Sequence, residues 1–338
     1  MAGRTWILAA ALLAVATARA TAGDWATIVM YHRFGENGTP STNIRLEQFE
    51  AHLAEIADGP YTVLPLPEIV ARMREGRDLP DRTLAITVDD AYLSVYREGW
   101  PRLAKAGLPF TLFVATRPVD LGLAGYMNWD QIRELQAAGV TIASQTDTHP
   151  HMPDLSAAEN AAEIARSNRR FVEELGRAPT LFAYPYGEFG AEVQRVVREA
   201  GFEAAFGQHS GVAYASMDRF ALPRFAMNER FGSIERFRLA ANALPLRVTE
   251  VTPSDKVLTR NPPAFGFTVV DNPPALDRIA CFASNQPGPV RIERLGDQRF
   301  EVRLDRPFAP GRGRINCTLP GPDRRWHWYG TQFYISKR

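Results

Sequence analysis

"TLAITVDDAY", residues 83–92, runs through β-branched and apolar residues and then closes on two adjacent acids, Asp89 and Asp90. The run is too short for a helix and reads as a strand buried on both faces, as in a parallel sheet. Two carboxylates at the end of a buried strand are costly unless they are paired, hydrogen-bonded or bound to metal. The same arrangement recurs along the chain. "VTIAS" (140–144) runs into "SQTDTH", "TLFAYP" into "PYGEF", and "FEAAFG" into "GQHSG". Polar residues thus gather at strand C-terminal ends. An open doubly wound sheet and a closed barrel both satisfy the strand count, but only in a β/α barrel do all these ends converge on one mouth.

The intervening segments have helical period. "RLEQFEAHLAEI" (45–56) places Leu46, Phe49, Leu53 and Ile56 on one face. "SVYREGWPRLAKAG" (94–107) reads as a helix stopped by glycine. "NWDQIRELQAAG" (128–139) has Asn128 as its N-cap, and Ser156 with Glu159 forms a capping box ahead of a helix over 156–176. With the strand "ATIVMYH" (26–32), the strand "FTLFVAT" (110–116) and the late pair "RFALPRFAM" and "SIERFRLAANA", seven or eight strand–helix units are expected over residues 23–245.

Composition bounds the function. Hydrophobic residues make up 45% of the 338, charged residues 23%, and the formal net charge is +1, which argues against a dedicated nucleic-acid binder. Residues 1–22 have a short basic start, a short apolar core and an A-x-A-like end, so they read as a signal peptide of an exported, periplasmic or secreted protein. No later segment is apolar enough to span a membrane. Cys281 and Cys317 are the only cysteines, and in an oxidising compartment they are expected to pair. They fall in residues 246–338, where helical period vanishes, prolines cluster and short alternating runs indicate a small β-sandwich-like domain. In "RWHWYGTQFYI" (325–335), a strand would put Trp326, Trp328 and Tyr334 on one face and Tyr329, Phe333 and Ile335 on the other. One face is core; the other offers rings for stacking on sugars.

Asp90 and His149, each just past a strand, make the start of a site for a divalent metal, and His151 in "HPH" adds a second imidazole. Asp89 is then free to act as a base. Together, "VMYH", "TVDDAY", "NWDQI", "SQTDTHPHM" and "AYPYG" resemble the polysaccharide deacetylases, carbohydrate esterase family 4, over about residues 27–240. The resemblance implies a distorted β/α barrel and one divalent ion, zinc or else cobalt or nickel. It implies removal of acetyl groups, N-acetyl in the first instance, from a polysaccharide or oligosaccharide. By position, Asp89 matches the general base, Asp90 and His149 match metal ligands, and Tyr186 matches the residue whose N–H faces the oxyanion, with Pro185 in the same turn. Trp129 and Asp130 match positions that help line the site.

Three positions depart from the family pattern. Gln145 stands where another metal histidine is usual, so Gln145 itself, His151 or His32 would complete the shell. Ala183 replaces an arginine that orients the catalytic Asp, and Arg224 in "LPRF" could take its place in space. The usual late histidine is missing, which leaves His209 as the nearest acid. These changes leave open a weakly catalytic homologue that binds polysaccharide without turning it over. They also leave open a different metal-dependent barrel hydrolase that uses the "HPH" pair.

Overall fold

The computed structural model describes residues 22–336; apart from Ala22, the expected signal peptide lies outside them. Strands β1 (Trp25–Tyr31) and β2 (Thr83–Asp89) are buried along nearly their whole length and pair in parallel, Val29 opposite Ile86. From β2 the sheet grows in chain order through β3 (Thr111–Val114), β4 (Thr141–Ser144), β5 (Leu181–Ala183) and β6 (Ala204–Phe206), every neighbour parallel.

The main helices are α1 (Leu46–Asp58), α2 (Leu66–Glu75), α3 (Trp100–Lys105), α4 (Trp129–Ala137), α5 (Ala157–Leu175), α6 (Ala191–Glu199) and α7 (Ile234–Ala241), with one further short helical turn at Thr116–Asp120. The capping boxes of α4 and α5 form as their sequences indicate. The single helix expected over 94–107 is instead a π-wound turn, Val95–Gly99, running into α3. Pro101 has no N–H to give the preceding turn, which is where such widening is tolerated.

The sheet curls into a half-barrel. Its inner face carries Ala85, Phe113, Ala143, Ala183 and Phe206, with Asp89 on the same parity as Ala85. The chain past β6 closes the seam. Leu222 bridges to Phe206 on one side, and β8 (Phe225–Ala226) pairs with β1 on the other. The short β7 (Ala213–Tyr214) runs antiparallel on the rest of the β1 edge. Arg224 lies in this seam, two residues past one contact and one before the next.

Beyond α7 the chain is all β. One sheet has the order β9 (Leu244–Pro245), β16 (Trp326–Ile335), β15 (Gly311–Pro320), β12 (Ala280–Ala283). The second has the order β10 (Val248–Thr252), β11 (Phe265–Val269), β14 (Arg299–Arg303), β13 (Arg291–Leu295). Phe265, Phe267, Phe300, Ile315, Tyr329 and Phe333 fill the space between them. Cys281 and Cys317 face each other across β12 and β15 and are joined by a disulfide. The outer face of β15 and β16 turns to the barrel mouth. There Gly330 lies so close to Ser210 that a Cβ would come within 1.9 Å of its carbonyl oxygen.

Candidate active site

Asp89 points into the barrel from the last position of β2 and has no exposed surface. Arg224 meets it from the seam in a two-pronged pair, Nη1 to Oδ1 at 2.6 Å and Nη2 to Oδ2 at 2.9 Å. Its Nε donates to the Gly207 carbonyl at 2.9 Å. The buried charges therefore neutralise each other, and hydrogen bonds fix their geometry. Ala183, at the position where the family resemblance implies an arginine, faces the same interior, and Arg224 supplies the guanidinium from the seam segment just before β8.

Asp90 leaves the strand in the left-handed region, φ 76°. Its N–H donates to the Phe113 carbonyl at 3.0 Å and to Gln145 Oε1 at 3.3 Å. Its Oδ1 is buried without a hydrogen-bond partner and lies 3.4 Å from His149 Nε2, which is also buried without one. Burial, opposed by the Asp90 and Asp89 charges, holds the His149 imidazole below its ordinary pKa, so the neutral, ligating form is favoured. A carboxylate oxygen and a neutral imidazole nitrogen, both unsatisfied and adjacent, are a fitting pair of donors for one divalent cation.

The third ligand position is different. Gln145 is fully buried, and its oxygen is taken by the Asp90 N–H, so the amide turns its NH2 toward the space left over. An NH2 cannot bind a cation; offering the oxygen instead would sacrifice the contact to Asp90. Among the described residues, no three His, Cys, Asp or Glu side chains stand together as a metal cluster. His32 lines the same groove, with Nε2 3.9 Å from Asp89 Oδ2, and is the second imidazole at the mouth.

Pro185 opens a tight turn, Pro185–Gly187, closed by the N–H groups of Gly187 and Glu188. Tyr186 is at its centre with φ 57°, its own N–H outside both closing bonds and its ring edge-on to His149 at 4.5 Å. The turn is held from the sandwich. Gln332 Nε2 donates to the carbonyls of Tyr186 and Gly187 at 3.1 and 2.9 Å, and Arg312 adds a contact to Tyr186.

The structure places four of the expected site residues away from the Asp90–His149 pair. His151 does not join Asp90; its Nδ1 bonds Glu188 at 2.6 Å and its ring stacks on Tyr186 at 4.3 Å. His209 lies off the mouth in a separate small cavity with Phe189 and Lys256, and burial lowers its pKa to about 3. A histidine kept neutral there has no proton to hand to a product in the mouth. Trp129 belongs to the core, against Phe171, with Nε1 bonded to Asp120, and is not a groove wall. Asp130 faces solvent and pairs with Arg133. Both follow from the helix start: with Asn128 as cap, the first turn of α4 buries Trp129 and exposes its neighbour.

The sequence reading offered Trp326 and Trp328 as a sugar-stacking face but did not put that face opposite the mouth. A groove of about 1450 Å³ runs from His32, Asp90, His149 and Tyr186 across to Trp326 and Trp328 on the sandwich. Glu188, Gln332 and Arg312 support its floor. "PYGEF" and "RWHWYG" carried a signal for this region, but only the packing of the two halves joins them.

Residues 76–205 match the sequence model of the polysaccharide deacetylase family. The YxkH protein of Bacillus subtilis is 25% identical over 197 residues, 58% of this chain and 69% of that protein. A poly-β-1,6-N-acetyl-D-glucosamine N-deacetylase of Staphylococcus aureus is 22% identical over 201 residues, 55% of this chain and 68% of that one. The structure of IcaB from Ammonifex degensii superposes with a TM-score of 0.58 at 25% identity, covering 65% of this chain and 98% of that one. The Streptococcus pyogenes deacetylase PplD, solved with acetate, gives 0.60 at 20% identity over 64% of this chain and 98% of that one, a likeness of fold. With the curled sheet described above, these matches show that residues 76–205 resemble the polysaccharide deacetylase family and that the surrounding half-barrel has the fold of solved deacetylases.

Proposed function

We propose that this protein is an exported, metal-dependent deacetylase that hydrolyses N-acetyl groups of an extracellular or cell-wall polysaccharide. The observation that carries the reading is the unsatisfied Asp90–His149 pair beside the Arg224-clamped Asp89, at the mouth of a groove of about 1450 Å³. Asp90 and His149 would hold the cation. When bound, a divalent ion supplies polarisation of the acetyl carbonyl and a lowered pKa for water. Asp89, whose Oδ2 lies 3.9 Å from Nε2 of the groove-lining His32, accepts the proton of the attacking water; each carboxylate oxygen keeps a lone pair beyond those Arg224 uses. The Tyr186 N–H stabilises the charge that builds on the carbonyl oxygen. The departing amine needs a proton, and with His209 off the mouth, His32 is the residue placed to give it. Export agrees with the disulfide.

Gln145 favours a second reading, binding without turnover, because it leaves the cation with two strong protein ligands where three are usual. Zinc affinity and acetate release from N-acetylglucosamine hexamer decide between them. On the deacetylase reading, His149→Ala loses zinc, Gln145→His binds it at least ~10-fold more tightly, as a third imidazole should, and the wild-type protein releases acetate. Zinc binding indifferent to both changes, with no acetate released, leaves only the binding reading.

A further inference from the structure

The groove carries far more positive than negative charge, on a molecule whose formal net charge is only +1. Arg230, Arg236, Arg278, Arg312 and Arg314 line it, whereas its one acidic lining residue is Asp90. Among the described residues, only Arg312 of these five forms an ion pair, a long one of 3.9 Å to Glu188. Arg236 is the clearest case. Its Nη1 is buried with no hydrogen-bond partner, and its guanidinium lies 4.9 Å over the Trp328 ring. Burial lowers the pKa of Arg236 to about 10, and burial together with the neighbouring Arg312 charge, opposed by Glu188, lowers that of Arg314 to about 10.

Strand parity puts Arg312 and Arg314 on the sandwich side of the groove, Arg278 adds to it from a short turn before β12, and Arg230 and Arg236 line the groove from the barrel side. On β15, Arg312, Arg314 and Asn316 alternate with the core residues Gly313, Ile315 and Cys317. On β16, Trp326 and Trp328 share that outer face, and Phe282 of β12 is exposed beside them. Flat rings with guanidinium groups between them are the surface that binds sugar faces and oxyanions together, because a guanidinium takes a carboxylate or phosphate in two-pronged fashion.

We propose that the groove between barrel and sandwich reads an acidic glycan: an acetylated amino-sugar polymer whose carboxylate or phosphate oxygens pair with these arginines while an acetyl group enters the mouth. The inference rests on the deacetylase reading for the chemistry at the mouth. The groove also favours turnover. Deacetylation leaves an ammonium group, which the arginines repel, so a neutral glucosamine polymer would be held less well with every acetyl group removed.

Fluorescence polarisation of labelled oligosaccharides tests this at 50 mM and 500 mM salt. The probes are a hyaluronan hexasaccharide (carboxylate), an N-acetylglucosaminylated glycerol phosphate oligomer (phosphate) and the neutral N-acetylglucosamine hexamer. The variant is Arg230→Ser/Arg278→Ser, two exposed residues with no ion pair among the described residues to lose. At least one acidic probe is expected to bind roughly 10-fold more tightly than the neutral one at low salt, and to lose most of that margin at high salt or in the double variant. Equal binding of neutral and acidic probes, or an acid preference that the double variant leaves intact, overturns the inference. Acetate release is followed in parallel. Release from the neutral hexamer without acid preference overturns this inference and leaves the deacetylase reading standing. Acid preference without acetate from any probe supports the inference and counts against that reading.

Discussion

Asp89 and Arg224 share a pair with no exposed surface, so removing either charge strands the other. Arg224→Met is expected to cost about 3–5 kcal/mol, read as a lower urea midpoint, and to abolish acetate release; Arg224→Lys should not restore it, because one ammonium cannot replace two prongs. Asp90, Thr146, His149 and Tyr186 all have positive φ, a conformation costing on the order of 1–3 kcal/mol for a non-glycine residue. Their concentration at one mouth is itself a reason to place function there.

Titration gives a second test at this scale. His52 and His209 are buried, and burial lowers their pKa values to about 4 and about 3. Below the unfolded value of about 6.5 the unfolded chain binds protons that the folded chain refuses. Stability therefore falls as pH drops through the window from about 6.5 toward those values, by roughly 1.4 kcal/mol per pH unit for each histidine. His52→Asn should flatten the low-pH arm of denaturation curves recorded between pH 4 and 7. An unchanged arm would mean that His52 is protonated in the folded state. At this scale the adjacent acids and His149 were legible because each lies at or past the C-terminal end of a strand, whereas Arg224, read at a strand end, sits one residue before β8. His209 was not legible, because a strand-end loop can turn one side chain into the mouth and the next beneath it.

The Pro185–Gly187 turn shows what elements owe to distant chain. Its two carbonyls have Gln332, from β16, as donor. Gln332→Ala leaves them short of a partner, at about 1–3 kcal/mol, and should lower kcat for acetate release more than it raises KM, since the Tyr186 N–H acts on the developing oxyanion. A change confined to KM would place the turn in binding alone. Local capping rules found α4 and α5, as Asn128 and Ser156 show. They did not find α2, because Pro65 and Pro67 resemble breakers, although proline is well tolerated in the first turn of a helix. It was the family resemblance, not local capping, that put Trp129 and Asp130 at the site; their directions are set by which face of α4 meets the core.

Across the whole molecule, the half-barrel supplies the acids and the sandwich supplies the opposite wall. Composition alone marked the change near residue 245, but nothing local told that β15 and β16 would turn their outer face to the mouth. Gly330 permits that approach. Gly330→Ala must push the two apart at Ser210, and is expected to lower Tm and weaken oligosaccharide binding while far-UV circular dichroism stays near wild type. Undiminished binding would show that the wall is not needed. The Cys281–Cys317 link closes a 36-residue separation. Cys281→Ser/Cys317→Ser should cost roughly 3–4 kcal/mol in chemical denaturation.

The most direct test of the deacetylase assignment is product stoichiometry: acetate and new primary amine counted together from N-acetylglucosamine oligomer, for the wild-type protein and Asp89→Asn. Equimolar acetate and amine from the wild type, with at least ~1,000-fold less from Asp89→Asn, is the expected result. Neither product from the wild type in the presence of zinc, or equal amounts from both proteins, would contradict it.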